Sequence, residues 1–321
     1  MLALLFPGQA SQEVGMGRDV FEASPAARAV FEEADEAISA SIRTSLSKLC
    51  FEGPEDELRR TEIQQPAILT TSIALLRALE EELGSLEPAF VGGHSLGEYS
   101  ALVAAGALGF EDAVRTVNLR GRLMQDAVAE GRGAMAAVMG VAPDVVSDAC
   151  RQAAHETGLV VTPANFNSPQ QTVIAGDAAG VEAACLQARE LGAKKTVPLP
   201  VSAPFHCTLM KPAAEKLEIE LGRLVFSEAV PPLITNVEAE PNADASRMPA
   251  LLREQVTAPV RFSDMVARMK ALGVDQFLEV GPGRVLSGLI ARIERRARRA
   301  NFASFADLDE VREFVAGTVS E

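Results

Sequence analysis

Short apolar runs along this chain alternate with longer segments in which apolar residues recur every three or four positions, the alternation of an α/β protein. Residues 2 to 8 form an apolar run closed by Pro7-Gly8, which predicts a first strand and a turn that delivers Gln9 and Ser11 to the carboxyl edge of a sheet. Residues 25 to 40 and 55 to 60 read as solvated helices. Gln65-Pro66 opens a predicted helix from Ala67 to Leu83, apolar on one side and acidic on the other. Pro88 to Val91 predicts a short buried strand and Ser100 to Leu108 a small-residue helix. Glu111 to Val128 predicts a further helix, with Val114, Val117, Gly121, Met124 and Val128 on its core face.

From Gly131 the texture changes. Gly133 to Val141 reads as a strand, Pro143 to Thr157 as a helix, Leu159 to Phe166 and Thr172 to Ala175 as two strands, Ala178 to Leu191 as a helix and Lys194 to Val201 as a strand. The order βαββαβ is that of a ferredoxin-like unit. A small domain over 131–198 is therefore expected, inserted into a larger one made of 1–130 and 199–321. In the second part of the larger unit, Leu199 to Cys207 is a proline-stiffened loop before a helix from Leu209 to about Leu221. Pro232 to Val237 and Val274 to Val280 read as buried parallel strands, and Val285 to Arg299 as a helix ending in a concentrated basic face.

Composition narrows the chemistry. The chain has 321 residues, 48% of them hydrophobic and 23% charged, and no uncharged stretch long enough to span a bilayer is seen. An N-terminus without a basic n-region or cleavage site reads as a strand rather than a signal peptide, so a cytoplasmic protein is expected. A net charge of −14 argues against nucleic-acid binding. The four cysteines lack Cys-x-x-Cys spacing and only three histidines occur, so neither a disulfide framework nor a metal site is expected.

The candidate chemistry centres on Gly93-His94-Ser95-Leu96-Gly97, a Gly-x-Ser-x-Gly pattern between a predicted strand and a predicted helix. Such a turn projects a serine hydroxyl outward, lets neighbouring backbone approach over the glycines, and leaves helix N-terminal N–H groups facing a developing oxyanion. A helix-capping serine on a glycine-rich loop is the alternative. A nucleophilic serine needs a base, and His206, at a loop-to-helix junction, can supply it or can serve as a structural histidine. His94 adjoins Ser95 on the same turn and would rather brace it. Cys207 follows His206 directly, and consecutive side chains diverge. Arg120 flanks a buried helical stripe, where a guanidinium needs an anionic ligand or a structural ion pair. Val280-Gly281-Pro282-Gly283 fits simple turn chemistry better than phosphate binding.

Seven ordered motifs make the chain resemble the bacterial malonyl-CoA:acyl carrier protein transacylase family over nearly its whole length: Phe6-Pro7-Gly8-Gln9-Ala10-Ser11-Gln12, Gln65-Pro66-Ala67, Gly93-His94-Ser95-Leu96-Gly97-Glu98, Arg120-Gly121-Arg122-Leu123-Met124, Ala164-Asn165-Phe166-Asn167-Ser168-Pro169, Pro204-Phe205-His206-Cys207 and Glu279-Val280-Gly281-Pro282-Gly283. Ala10 stands where the family usually has glycine. The resemblance implies a hydrolase-like α/β body with a mainly parallel sheet, carrying a ferredoxin-like α+β subdomain, with the active site between them. It implies Ser95 as nucleophile, His206 as base, the N–H groups of Gln9 and Leu96 as oxyanion hole, and Arg120 as the holder of the malonyl carboxylate. Asn165 and Gln65 are implied as substrate-pocket residues. The family orients its histidine with backbone carbonyls, and Ala258-Pro259-Val260-Arg261 is expected to supply one through Arg261.

The activity so implied is ping-pong transfer of malonyl from malonyl-CoA to the phosphopantetheine thiol of acyl carrier protein, supplying fatty-acid synthesis, by a cytoplasmic monomer with no permanently bound cofactor or metal. The partners implied are acyl carrier protein and coenzyme A, with neither nucleic acid nor membrane. Lys194, Lys195 and the Arg292 to Arg299 face are candidates to meet the acidic carrier. Alternatives are a serine esterase or thioesterase, a discrete polyketide-synthase acyltransferase, and an idle carrier-docking scaffold.

Overall fold

The computed structural model describes residues 1–201 and 203–317. Ser202, inside the loop expected over 199–207, and residues 318–321, at the end of the larger unit's expected span, lie outside the described residues.

The strands in chain order are β1 (Leu2–Phe6), β2 (Phe90–Gly93), β3 (Gly133–Met139), β4 (Val161–Ser168), β5 (Gln171–Asp177), β6 (Lys195–Pro198), β7 (Leu233–Ile234), β8 (Pro241–Asn242), β9 (Gln276–Val280) and β10 (Arg298–Phe302). They form two sheets. The larger has the order β10-β9-β1-β2-β7-β8 and is parallel except for β8. Its central strands are buried along their length, which is why β1 reads as an unbroken apolar run. In the β1–β2 register Phe6 lies opposite Gly93, so the loop carrying Gln9 and the turn carrying Ser95 leave the sheet side by side at its carboxyl edge.

The smaller sheet, order β4-β5-β3-β6 and antiparallel throughout, takes the βαββαβ connection that the sequence predicts. Its helices Pro143–Thr157 and Ala178–Glu190 seal a separate apolar cluster that includes Val138, Val146, Ile174 and Val181. The smaller sheet joins the larger unit along β4, through an isolated bridge to the segment before the helix Phe262–Ala271. Val260 gives its N–H to the Ala164 carbonyl at 2.9 Å and accepts from Phe166 N–H at 2.8 Å. Among the described residues no helix is long and apolar enough to cross a membrane.

Three expectations need correction. The helix predicted from Ala67 begins at Thr61 and runs to Leu83, with Pro66 inside it. A proline there cannot donate to the Glu62 carbonyl one turn back. The Asn118 amide from the helix Phe110–Asp126 does so instead, at 2.8 Å, which lets the helix pass through the proline. The helix predicted over Val285 to Arg299 ends at Ile293, and Arg298–Phe302 forms the edge strand β10. The expected basic helical face is thus divided: Arg298 and Arg299 hold carbonyl groups of Phe314 and Ala297, while Arg292 reaches Gln171 of β5 at 2.9 Å. Last, the sequence reading passed over the helices Leu46–Glu52, Met248–Gln255, Phe262–Ala271 and Leu308–Ala316.

Removing the amide that replaces the missing proline N–H should leave the half-buried Glu62 carbonyl without that partner. Asn118→Ala is expected to lose about 1–3 kcal/mol, read as a lower urea midpoint at unchanged slope.

Candidate active site

Ser95 sits on the turn between β2 and the helix Gly97–Ala104, with a backbone φ of 52°. That conformation is costly for a residue with a Cβ and persists only where neighbours enforce it. The flanking glycines show one reason it forms: a Cβ on Gly93 would lie 2.1 Å from the Gly97 carbonyl, and one on Gly97 would lie 2.0 Å from the Phe6 oxygen. The other reason is two amides that grip the Ser95 peptide. Asn236 accepts the Ser95 N–H on its Oδ1 at 2.7 Å, and Gln255 donates its Nε2 to the Ser95 carbonyl at 2.9 Å.

The Ser95 hydroxyl lies 2.7 Å from His206 Nε2, and the other ring nitrogen, Nδ1, lies 2.8 Å from the Gln255 carbonyl. A carbonyl can only accept, so Nδ1 carries the proton and Nε2 is left to accept from the serine. An imidazole so placed can take the hydroxyl proton. Burial, and after it the Arg120 guanidinium, press the imidazole down to about 3, so the ring is neutral near pH 7.

The orienting carbonyl corrects the expectation for Arg261. The helix Met248–Gln255 ends at Gln255; the Arg253 and Glu254 carbonyls accept the next N–H groups, and that of Gln255 is left for the imidazole. The Ala258 carbonyl, from the expected motif, adds a smaller pull. The Arg261 carbonyl instead accepts the Met265 N–H at 2.9 Å, in the first turn of the helix Phe262–Ala271.

Arg120 is fully buried, yet among the described residues it has no ion pair. Its Nη1 donates to Gln65 Oε1 at 2.7 Å, and its Nη2 donates to Gln255 Oε1 at 2.8 Å and to the Ser95 hydroxyl at 3.1 Å. Its Nε–H, also buried, has no partner among the described residues. Burial lowers the guanidinium from its ordinary value, and nearby Tyr99 and Glu98 oppose this only in part; its hydrogen-bond partners themselves are all neutral. An incoming carboxylate would relieve the cost of burial.

Gln9 and Leu96 flank this cluster, and among the described residues neither gives its backbone N–H to a hydrogen bond. Leu96 has helical backbone angles at the N-cap of Gly97–Ala104, where N–H groups have no intrahelical acceptor. The Gln9 loop is held by Ser11 Oγ donating to the Gly8 carbonyl at 2.8 Å and by the Gln9 side chain donating to Gln64 Oε1 at 2.6 Å. Ala10, in the family's glycine position, takes a φ of 76°. Gln65 joins the cluster through Arg120. Asn165 lies buried on β4, and its side chain makes no hydrogen bond among the described residues; its neighbour Asn167 instead meets His94 Nε2 at 2.9 Å. Cys207 donates its thiol to the Pro204 carbonyl, and burial pushes it up to about 11, which leaves no thiolate to react. The Val285–Ile293 N-terminus is already filled: Glu279 accepts from the N–H groups of Leu286 and Ser287 at 2.9 and 2.7 Å.

Sequence reasoning missed Asn236, Gln255 and Gln64, isolated amides outside the motifs that drew it. The acyl transferase domain family matches residues 3–306. The malonyl CoA-acyl carrier protein transacylase of Bacillus subtilis (strain 168) is 48% identical over 295 residues, 92% of this chain and 91% of that protein. The chain belongs to the malonyl CoA-acyl carrier protein transacylase family. The transacylase of that name from Escherichia coli (strain K12) is likewise 48% identical, over 91% of this chain and 92% of its own. Among solved structures, an acyl carrier protein S-malonyltransferase from Vibrio cholerae superposes with a TM-score of 0.92 at 44% identity, over 97% of this chain and 99% of the other. A malonyl-transacylase solved in complex with a type II PKS acyl-carrier protein gives 0.92 at 42% identity, over 97% and 99%. The transacylase family's fold is thus an α/β body joined to an antiparallel sheet, as expected, and the chain is an acyltransferase.

The depressed imidazole gives a signed expectation. Below about pH 6.5 the unfolded chain takes up a proton that the folded site refuses, so His206 subtracts stability as pH falls from there toward 3 and subtracts none above. In the free protein its ring should remain neutral at pH 5 by NMR, and saturating malonate, by pairing with Arg120, should move its titration upward. A free-protein titration near 6.5 would contradict the burial account.

Proposed function

We propose that this chain moves the malonyl group from malonyl-CoA to the phosphopantetheine thiol of acyl carrier protein through a malonyl-serine ester on Ser95. One observation carries the reading: a sealed guanidinium with no carboxylate partner among the described residues stands 3.1 Å from a hydroxyl that is itself 2.7 Å from a neutral imidazole. A serine hydrolase needs the last two groups. Only an acyl group that ends in a carboxylate needs the first.

In the first half-reaction Ser95 Oγ attacks the thioester carbonyl as its proton passes to His206 Nε2. The developing oxyanion lies against the N–H groups of Gln9 and Leu96, donors whose removal in related acyl transfers costs roughly 3 kcal/mol each. The tetrahedral intermediate collapses, the carbon–sulfur bond breaks, and coenzyme A leaves with the proton from His206. In the second half the carrier's thiol gives its proton to His206, attacks the ester carbonyl, and Ser95 regains its hydrogen as the acyl group departs. No bound cofactor enters either half. Arg120 offers its fork to the malonyl carboxylate, with Gln65 holding one arm in place, and an acetyl group would leave that charge unpaired.

The acceptor we assign is a carrier of fatty-acid synthesis. The chain divides into a catalytic body, 1–130 and 199–321, and an inserted ferredoxin-like unit, 131–198; each has an apolar cluster of its own, and a third, larger cluster runs from the body into the insert through Met135, Ala137, Ala164, Val173 and Ala175. We assign it as a monomer; Ser95, His206 and Arg120 already meet within one chain. Four free cysteines suit the reducing cytoplasm.

Mass spectrometry after mixing with malonyl-CoA should find a malonyl adduct on Ser95 that carrier protein discharges, and none on Ser95→Ala. Release of the acyl group to water at a rate indifferent to carrier would overturn the transfer. Arg120→Ala should lose about 100-fold or more in malonyl transfer, the worth of about 3 kcal/mol from charge-assisted hydrogen bonds, while keeping or gaining acetyl transfer. Unchanged selectivity would reduce Arg120 to a structural residue.

A further inference from the structure

Glu98 is a carboxylate at 1% exposure directly beneath the nucleophile turn, and the transfer steps do not use it. Its two oxygens take one donor each. Oε2 accepts from Gln255 Nε2 at 2.5 Å and Oε1 accepts from the Asn236 N–H at 3.2 Å. These two residues hold the Ser95 peptide from either side, Asn236 at its N–H and Gln255 at its carbonyl. Gln255 also turns its Oε1 to Arg120. That orientation is forced from two directions, because the guanidinium can only donate and the Ser95 carbonyl can only accept.

We propose that Glu98 is a positioning residue for malonyl transfer, bracing the Gln255 side-chain amide and the Asn236 main chain, the two residues whose side chains hold Ser95, and, through Gln255, the guanidinium that takes the acyl carboxylate. The inference rests on the transfer reading given above. Both Glu98 oxygens face donors, so the ionised group makes both bonds as charge-assisted ones, and protonation removes that charge and weakens the bond accepted by the protonated oxygen. The same carboxylate supplies a buried negative charge to Arg120 across a neutral amide. This holds the guanidinium in place without filling the position that the acyl carboxylate needs. The titratable or charged groups facing Glu98 are Arg120 and Tyr99, while Gln255 and Asn236 are neutral. Burial raises Glu98 to about 7, against the smaller lowering by Gln255, Asn236 and Arg120. Glu98 therefore titrates where neither Tyr99, pushed up to about 12, nor His206, held down to about 3, changes its charge in the free enzyme.

Glu98→Gln keeps the volume but offers one acceptor in place of two, so either the Gln255 side chain or the Asn236 main chain loses its brace. The test follows kcat/KM for malonyl transfer from malonyl-CoA to holo acyl carrier protein from pH 5 to 9; this quantity reports the free enzyme. Wild type should decline below about pH 7. E98Q should be lowered at pH 8 by at least about tenfold, the loss expected for one hydrogen bond to a charged group, and should lack the wild-type decline. The shared substrate's own titration cancels in this comparison. Glu98→Asp, which keeps a carboxylate, should be slower than wild type yet retain the decline, and it decides the matter should E98Q not fold. A wild-type profile without the decline, an E98Q profile that keeps it, or an E98D profile that loses it overturns the proposal. Wild type inactive toward malonyl-CoA at every pH would instead overturn the transfer reading itself.

Discussion

A guanidinium sealed from water, with no ion-paired carboxylate among the described residues, is the constraint around which this site is built. Isolated burial of that charge is unfavourable, and the fold tolerates it because Gln65 and Gln255 each turn an amide oxygen to Arg120 and the Ser95 hydroxyl takes a third contact. Neutral acceptors satisfy most of its donors without cancelling its charge. Among the described residues the Nε–H has no hydrogen-bond partner. The result is a pocket that is structurally complete and electrostatically incomplete, and the missing charge is the one the acyl group brings.

The same guanidinium links selectivity to reactivity. After burial, Arg120 is the largest influence that lowers the His206 imidazole. A carboxylate that pairs with the guanidinium weakens that influence and leaves His206 a stronger base at the moment a correct acyl group is in place. An acyl group without a carboxylate leaves the base weak. Discrimination thus acts on the proton transfer as well as on binding, the difference between stabilising a transition state and merely holding a substrate.

Much of this was legible in the sequence, for identifiable reasons. The order βαββαβ over 131–198 could be read because each element carries its own period and its turns carry glycine, proline or asparagine. The nucleophile turn could be read because two backbone approaches near 2 Å admit only glycine at Gly93 and Gly97. Gln255 and Asn236 escaped notice because a backbone carbonyl has no sequence signature and a lone amide has no period. Arg261 was mistaken for the orienting residue since no pattern shows which carbonyl at a helix end is left without a partner. The helix over Val285 to Arg299 was drawn too long because arginine favours helices and no glycine or proline marks the stop. Only pairing with β9 makes Arg298–Phe302 a strand.

Of the five described non-glycine residues with left-handed backbone, three lie in this site: Ala10 next to the Gln9 donor, Ser95, and His206 with a φ of 60°. They come from three separate segments, and each is fixed by hydrogen bonds from outside its own turn or by packing. Conformational tension of on the order of 1–3 kcal/mol per residue is therefore installed when the chain folds, before any thioester arrives. Catalysis inherits a rigid scaffold, so little of the intrinsic binding energy of the acyl chain has to go into arranging nucleophile, base and oxyanion donor. Two successive and very different thiols, a small coenzyme and a whole carrier protein, can then meet one unchanging centre.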